Sequence, residues 1–124
     1  MDIFISNTAK EPIYEQIANE IKKLILQGKL KPEEPLPSIR NLAKELRISV
    51  ITTKRAYEEL ENEGYIVTVG GKGTFVAPLS PDFFQEKRLY LVEQSLREVV
   101  ETGKSLGVSL KEFIDLLSSL YKEE

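Results

Sequence analysis

Leu36-Pro-Ser-Ile-Arg-Asn-Leu-Ala-Lys-Glu-Leu-Arg-Ile-Ser-Val-Ile-Thr-Thr-Lys-Arg-Ala-Tyr-Glu-Glu-Leu60 is the stretch that decides the fold. Ser38, after the restrictive Pro37, has the character of a helix N-cap. Ile39, Leu42, Ala43 and Leu46 then recur at helical spacing and form a buried face. Ser49 is a second N-cap, followed by a helix whose apolar face is Ala56, Tyr57 and Leu60 and which ends at Gly64. The link between the two, Arg47-Ile-Ser49, is short enough to fix a large angle between them. Tyr65–Val69 and Thr74–Ala77 are rich in β-branched and aromatic residues, with Gly70, Gly71 and Gly73 between them, which predicts a hairpin. The expected fold is mainly α with a small β-hairpin: a winged helix-turn-helix head.

Working outward, residues 1–10 form a short arm in which Ile3, Phe4 and Ile5 offer a packing patch. Pro12 suits the first turn of a helix, and Tyr14, Ile17, Ala18, Ile21, Leu24 and Ile25 make an amphipathic stripe behind the reading helices. Gly28 is a candidate C-cap, and Pro32 and Pro35 keep the next loop non-helical. Pro78 and Pro81 mark a boundary that divides a head, 10–78, from a tail, 79–124. In the tail a long helix, with Phe83, Phe84 and Leu91 among its apolar residues, is expected to end near Gly103. Ser109 and Glu112 have capping-box spacing before a second helix.

The 124 residues hold one small domain plus an appendage, and 41% apolar with 30% charged residues fits a globular chain. No apolar run approaches the roughly 20 residues that span a bilayer, and the N-terminus lacks the features of a signal peptide, so a cytoplasmic location and no membrane contact are expected. Without cysteine there is no disulfide framework or thiolate metal site. Without histidine the commonest general base and metal ligand are missing, so no enzyme, metal or cofactor is expected. The net charge of −3 resolves by segment. Residues 1–78 carry 11 Lys/Arg and 11 Asp/Glu, whereas the tail carries 6 and 9, so the negative excess lies entirely in the tail.

In a helix-turn-helix the second helix enters the major groove by its N-terminal end. That places Ser49, Ile51, Thr52, Thr53, Lys54 and Arg55 at the duplex. Lys54 and Arg55 point about 100° apart, so one of them serves a phosphate. The competing reading is that Ser49 and Thr52 only cap the helix and the basic pair is solvated. Arg40 can reach a phosphate or a guanine edge, or else pair with Glu45 or Glu61. Gly71-Lys72-Gly73 lets backbone approach the minor groove while Lys72 supplies charge, or is a plain tight turn. With Ser38 and Thr74 at the edges, these residues are the expected DNA-contacting set. The Gly-Gly-Lys-Gly-Thr run is no phosphate loop, because the spacing is wrong and a strand follows it. Glu58, Glu59, Glu61 and Glu63 have no partner base and read as a solvated acidic face.

From about Lys10 to Pro78 the chain resembles the head of the GntR family of bacterial transcription regulators. The matching segments are Pro12-Ile-Tyr-Glu-Gln-Ile17, Leu36-Pro-Ser-Ile-Arg-Asn-Leu-Ala43, Arg55-Ala-Tyr-Glu-Glu-Leu-Glu-Asn-Glu-Gly64 and Gly71-Lys-Gly-Thr-Phe-Val76. The resemblance implies DNA-contacting positions at Arg40, Ser49, Thr52, Lys54, Gly71 and Lys72. Val50 and Val69 stand where family members often have Arg, and Pro-Glu-Glu-Pro at 32–35 replaces a more usual Pro-Gly pair.

The short tail is similar to that of the YtrA-like subfamily, in which it mainly dimerises. A helical pair of this length cannot bury so wide an apolar surface within one chain. Leu89, Val92, Leu96, Val99, Val100, Phe113, Ile114, Leu117 and Leu120 are therefore the expected dimer surface, unless the tail folds back on its own head. The expected function is a sequence-specific DNA-binding transcription regulator, a repressor in preference to an activator. It would act as a homodimer on an inverted repeat of double-stranded DNA, with room for a small-molecule effector that no residue set specifies. The alternative is a protein-interaction module that uses the winged head without DNA.

Overall fold

The computed structural model describes residues 1–123. Five helices and one hairpin follow in the order α1 (Ile13–Leu26), α2 (Ile39–Leu46), α3 (Val50–Asn62), β1 (Ile66–Val69), β2 (Gly73–Val76), α4 (Pro81–Ser105) and α5 (Leu110–Lys122). They make two compact units, the first from Met1 to Phe84 and the second from Gln85 onward.

In the first unit α3 packs on both α1 and α2. Ile17, Ile21 and Ile25 of α1 meet Leu42 of α2, Ala56, Tyr57 and Leu60 of α3, and Ile66 and Val76 of the hairpin in one core. Each large aliphatic side chain buried there contributes about 1.5–3 kcal/mol. Both expected caps are formed: the Asn41 N–H donates to Ser38 Oγ at 3.1 Å and the Thr52 N–H to Ser49 Oγ at 3.0 Å. The turn between α2 and α3 closes on Arg47, at φ 58. There the N–H groups of Arg47 and Ile48 donate to Lys44 O and Ala43 O, at 3.3 and 3.0 Å. This is a Schellman closure, and it carries an arginine where glycine is unstrained.

The hairpin is antiparallel, pairing Ile66 with Val76 and Val69 with Gly73. The preceding loop docks on its outer strand: Leu36 N–H donates to Thr74 O, Glu33 N–H to Val76 O and Val76 N–H to Glu34 O, each at 2.9 Å. Glu33 has φ 69, so the Pro-Glu pair at 32–33 still adopts the left-handed turn that a Pro-Gly pair adopts without strain.

The units divide later than the expected boundary at Pro78. Leu79, Phe83 and Phe84 pack against the core of the first unit, and the Phe83 ring meets Tyr65 edge-on at 5.0 Å. The arm also belongs to this unit. Ile3 is buried, and Gln16 clamps the arm by accepting from Ser6 N–H (2.8 Å) and donating to Ser6 O and Glu11 O (both 2.9 Å).

In the second unit α5 follows α4 after a short turn and touches it through Phe113 at Gly103. α4 ends at Ser105, near Gly103 as the sequence predicts, and Gly103 itself is a buried notch on which the Phe113 ring rests. The chain turns at Gly107, φ 76, and the capping box of Ser109 and Glu112 is present as expected. Among the described residues no helix is long and apolar enough to cross a membrane.

Candidate nucleic-acid interface

The leading turn of α3 is presented outward. Ile51 is 81% exposed and Val50 45%, while Lys54 and Arg55 are exposed one turn on. Helical geometry explains the split: Thr53, Ala56, Tyr57 and Leu60 take the core side, leaving Ile51, Lys54, Arg55 and Glu58 on the other.

Thr53 is the correction to the expected set. It is fully buried, and its hydroxyl donates to Ser49 O at 3.0 Å, so it braces the first turn and reaches no duplex. Ser49 and Thr52 engage each other, because Ser49 Oγ donates to Thr52 Oγ1 at 2.7 Å while accepting the Thr52 N–H. The capping role considered for this pair is therefore present. Ser38 is likewise an N-cap.

Arg40 lies exposed in the first turn of α2. The ion pairs among the described residues are Lys22–Glu63, Lys23–Glu20 and Arg97–Glu93, so Arg40 pairs with neither Glu45 nor Glu61. Glu61 instead accepts the Thr68 N–H at 3.1 Å and ties α3 to β1. Lys44, Lys54 and Lys72 are outside these pairs too, which leaves their charge available to an anion. Arg55 is engaged: its guanidinium lies 3.9 Å above the Tyr14 ring centre and donates to Tyr14 Oη at 3.2 Å. The helical spacing of Tyr14 in the apolar stripe of α1 predicts only a scaffold role. Only the α1–α3 packing shows that it holds a basic side chain of the reading helix.

Two further contacts set α3. Lys22 Nζ, nearly buried, meets Glu63 at 2.8 Å and anchors the helix's C-terminal end to α1. Tyr57 Oη donates to Pro37 O at 2.7 Å, joining α3 to the entry of α2. Burial, with the Glu45 charge second, pushes the Tyr57 phenol well above its usual range, so it remains a donor.

At the wing tip Lys72 N–H donates to Val69 O at 2.9 Å, and Lys72 is exposed with Gly71 and Gly73 on either side. Gly71 and Gly73 have φ 76 and 117, and a side chain at either would meet no atom within 4 Å. Glycine is thus required there by backbone conformation and not by crowding within the chain. Thr74 is half-buried beneath the tip.

The tail residues form a second surface. Leu89, Val92, Leu96, Val99, Val100, Ile114, Leu117 and Leu120 are each between 38% and 57% exposed. Phe113 is half-buried: its ring rests on Gly103 of the same chain while it lines the same apolar surface. Leu96, Val99, Val100, Ile114 and Leu117 border an open apolar groove of about 310 Å³. Among the described residues no group of three or more acidic side chains is placed to hold a metal.

Residues 13–76 match the bacterial regulatory proteins of the gntR family. The HTH-type transcriptional repressor YtrA of Bacillus subtilis is 32% identical over 118 residues, covering 95% of this chain and 91% of its own. A crystal structure described as a transcriptional antiterminator from Listeria monocytogenes is 33% identical, with a TM-score of 0.78 over 98% of this chain and 91% of that one. The DNA-binding domain of AraR, solved in complex with its operator ORX1, is 30% identical, with a TM-score of 0.55 over 62% of this chain and 96% of that one. These relatives are transcription regulators and not enzymes, and they favour DNA binding over a DNA-free interaction module. The chain belongs to the GntR family of DNA-binding transcription regulators.

Proposed function

We propose that the chain is a homodimeric repressor that reads an inverted-repeat operator in the cytoplasm. The observation that carries this reading is the strip of large aliphatic side chains left half-exposed along α4 and α5. A monomer seldom leaves so continuous an apolar surface in water. A second copy would bury it about a twofold axis and bring two heads to successive half-sites. The B. subtilis repressor that aligns with 95% of this chain supports both the tail assignment and the sign of regulation.

On the head, Arg40, Lys44, Lys54 and Lys72 supply phosphate and base-edge contacts, the leading turn of α3 enters the major groove, and the wing lies along the neighbouring strand. Selection of duplexes from a random pool, followed by band shifts at several salt concentrations, tests this. An enriched palindromic site whose binding weakens steeply with salt supports the proposal, and failure to enrich any duplex contradicts it.

A further inference from the structure

The first turn of α3 uses two of its hydroxyl protons within the chain and keeps the Thr52 hydroxyl proton free as a donor. Ser49 Oγ caps Thr52 N–H and donates to Thr52 Oγ1, and Thr53 Oγ1 donates to Ser49 O inside the protein. Beside the half-buried Thr52, the outward side chains of that turn are aliphatic: Ile51, 81% exposed, and Val50, 45% exposed. Val50 carries no hydrogen-bond donor for a guanine edge. A bare isoleucine at the head of a helix costs solubility and adds nothing to this fold, since neither Ile51 nor Val50 belongs to the core.

In the major groove one base edge has an apolar feature, the C5-methyl group of thymine. We infer that Ile51 and Val50 are specificity-determining residues that read thymine methyl groups, so that A·T pairs lie beneath the leading turn of α3 in each half-site. Any guanine contact then falls to Arg40 or Lys54, farther along the interface. This inference rests on the proposed seating of α3 in the major groove. It adds what the helix recognises there.

The test uses the full-length protein and the duplex selected from a random pool. Each thymine of one half-site is replaced in turn by deoxyuridine, which keeps every hydrogen-bonding group and removes only the methyl. At one or two positions per half-site the substitution should weaken binding about three- to fivefold, the size expected for one buried methyl group. With Ile51→Ala, which removes an exposed side chain and leaves the fold intact, the thymine-over-uracil preference at one of those positions should vanish. Val50→Ala does the same for its own contact. Uracil duplexes that bind as tightly as thymine duplexes overturn the inference while leaving DNA binding in place. A uracil penalty that persists unchanged in both variants overturns it as well. Failure to bind any duplex removes the proposed function and this inference together.

Discussion

The Arg55 guanidinium lies over the Tyr14 ring, 3.9 Å from its centre, and donates a hydrogen bond to its hydroxyl at 3.2 Å. The pair joins the reading helix to the first turn of α1. The contact holds the guanidinium in place but leaves its remaining N–H groups open, a state suited to a phosphate contact. A cation–π pair at an exposed site is worth about 0.5–1 kcal/mol. A double-mutant cycle of Tyr14→Leu and Arg55→Ala, followed by urea unfolding, should return a coupling of that size. Arg55→Ala should also lower the salt dependence of operator binding by about one counterion, and Tyr14→Leu should follow it part of the way.

Thr53 lies in the same helix and has the opposite role. Its hydroxyl is internal, so Thr53→Val should leave operator affinity within twofold while costing about 1 kcal/mol of stability for the lost bond to Ser49 O. Lys54→Ala should do the reverse. Band shifts and urea midpoints on the two variants separate the roles.

Among the described residues, Glu33 and Arg47 are the two non-glycine residues with positive φ, at 69 and 58. A left-handed conformation costs an L-residue about 1–2 kcal/mol, partly offset by the greater backbone freedom that glycine loses on folding. Glu33→Gly should therefore raise stability by about 0.5–1 kcal/mol, shifting the urea midpoint at constant slope.

In the tail, Gly103→Ala should be harmful although alanine favours helix. Its methyl would occupy the space of the Phe113 ring. Overpacking of this kind costs about 1–3 kcal/mol, and the additional change Phe113→Leu should recover part of it. Thermal unfolding of the single and double variants reads the effect.

The capping box of α5 makes the tail sensitive to acid. Hydrogen bonds from the Ser109 backbone N–H and then its hydroxyl hold the Glu112 carboxyl below its ordinary 4.5. The depressed value means that this support is complete above about pH 4.5 and is lost as pH falls through the folded value. Carboxyl NMR should place the Glu112 titration below that of an unrestrained glutamate. Glu112→Gln should make α5 helicity less dependent on pH in that acidic range.

The helices, caps and hairpin were legible because their signals are local: Ser38, Ser49 and Ser109 each announce a helix start within the few residues that follow. Three features were hidden because they depend on what lies across the fold. Thr53 looks like its neighbour Thr52, and only the rotation of α3 against α2 and α1 turns one inward. Gly103 marks the neighbourhood of the helix end in sequence, but its packing role shows only when the Phe113 ring ten positions on is seen to occupy the gap. Tyr14 reads as part of a scaffold stripe until α3 brings Arg55 onto its ring. Pro78 and Pro81 mark a boundary in the sequence, while the packing of Phe83 against Tyr65 is a tertiary matter.

Two heads held by one tail surface are the central claim, and the mass of the protein bound to its selected duplex tests it most directly. Two chains per palindromic duplex are predicted, falling to monomers with weak binding when Leu96 and Leu117 are made polar. A single chain on an asymmetric site, or an unaltered dimer after those substitutions, would contradict it.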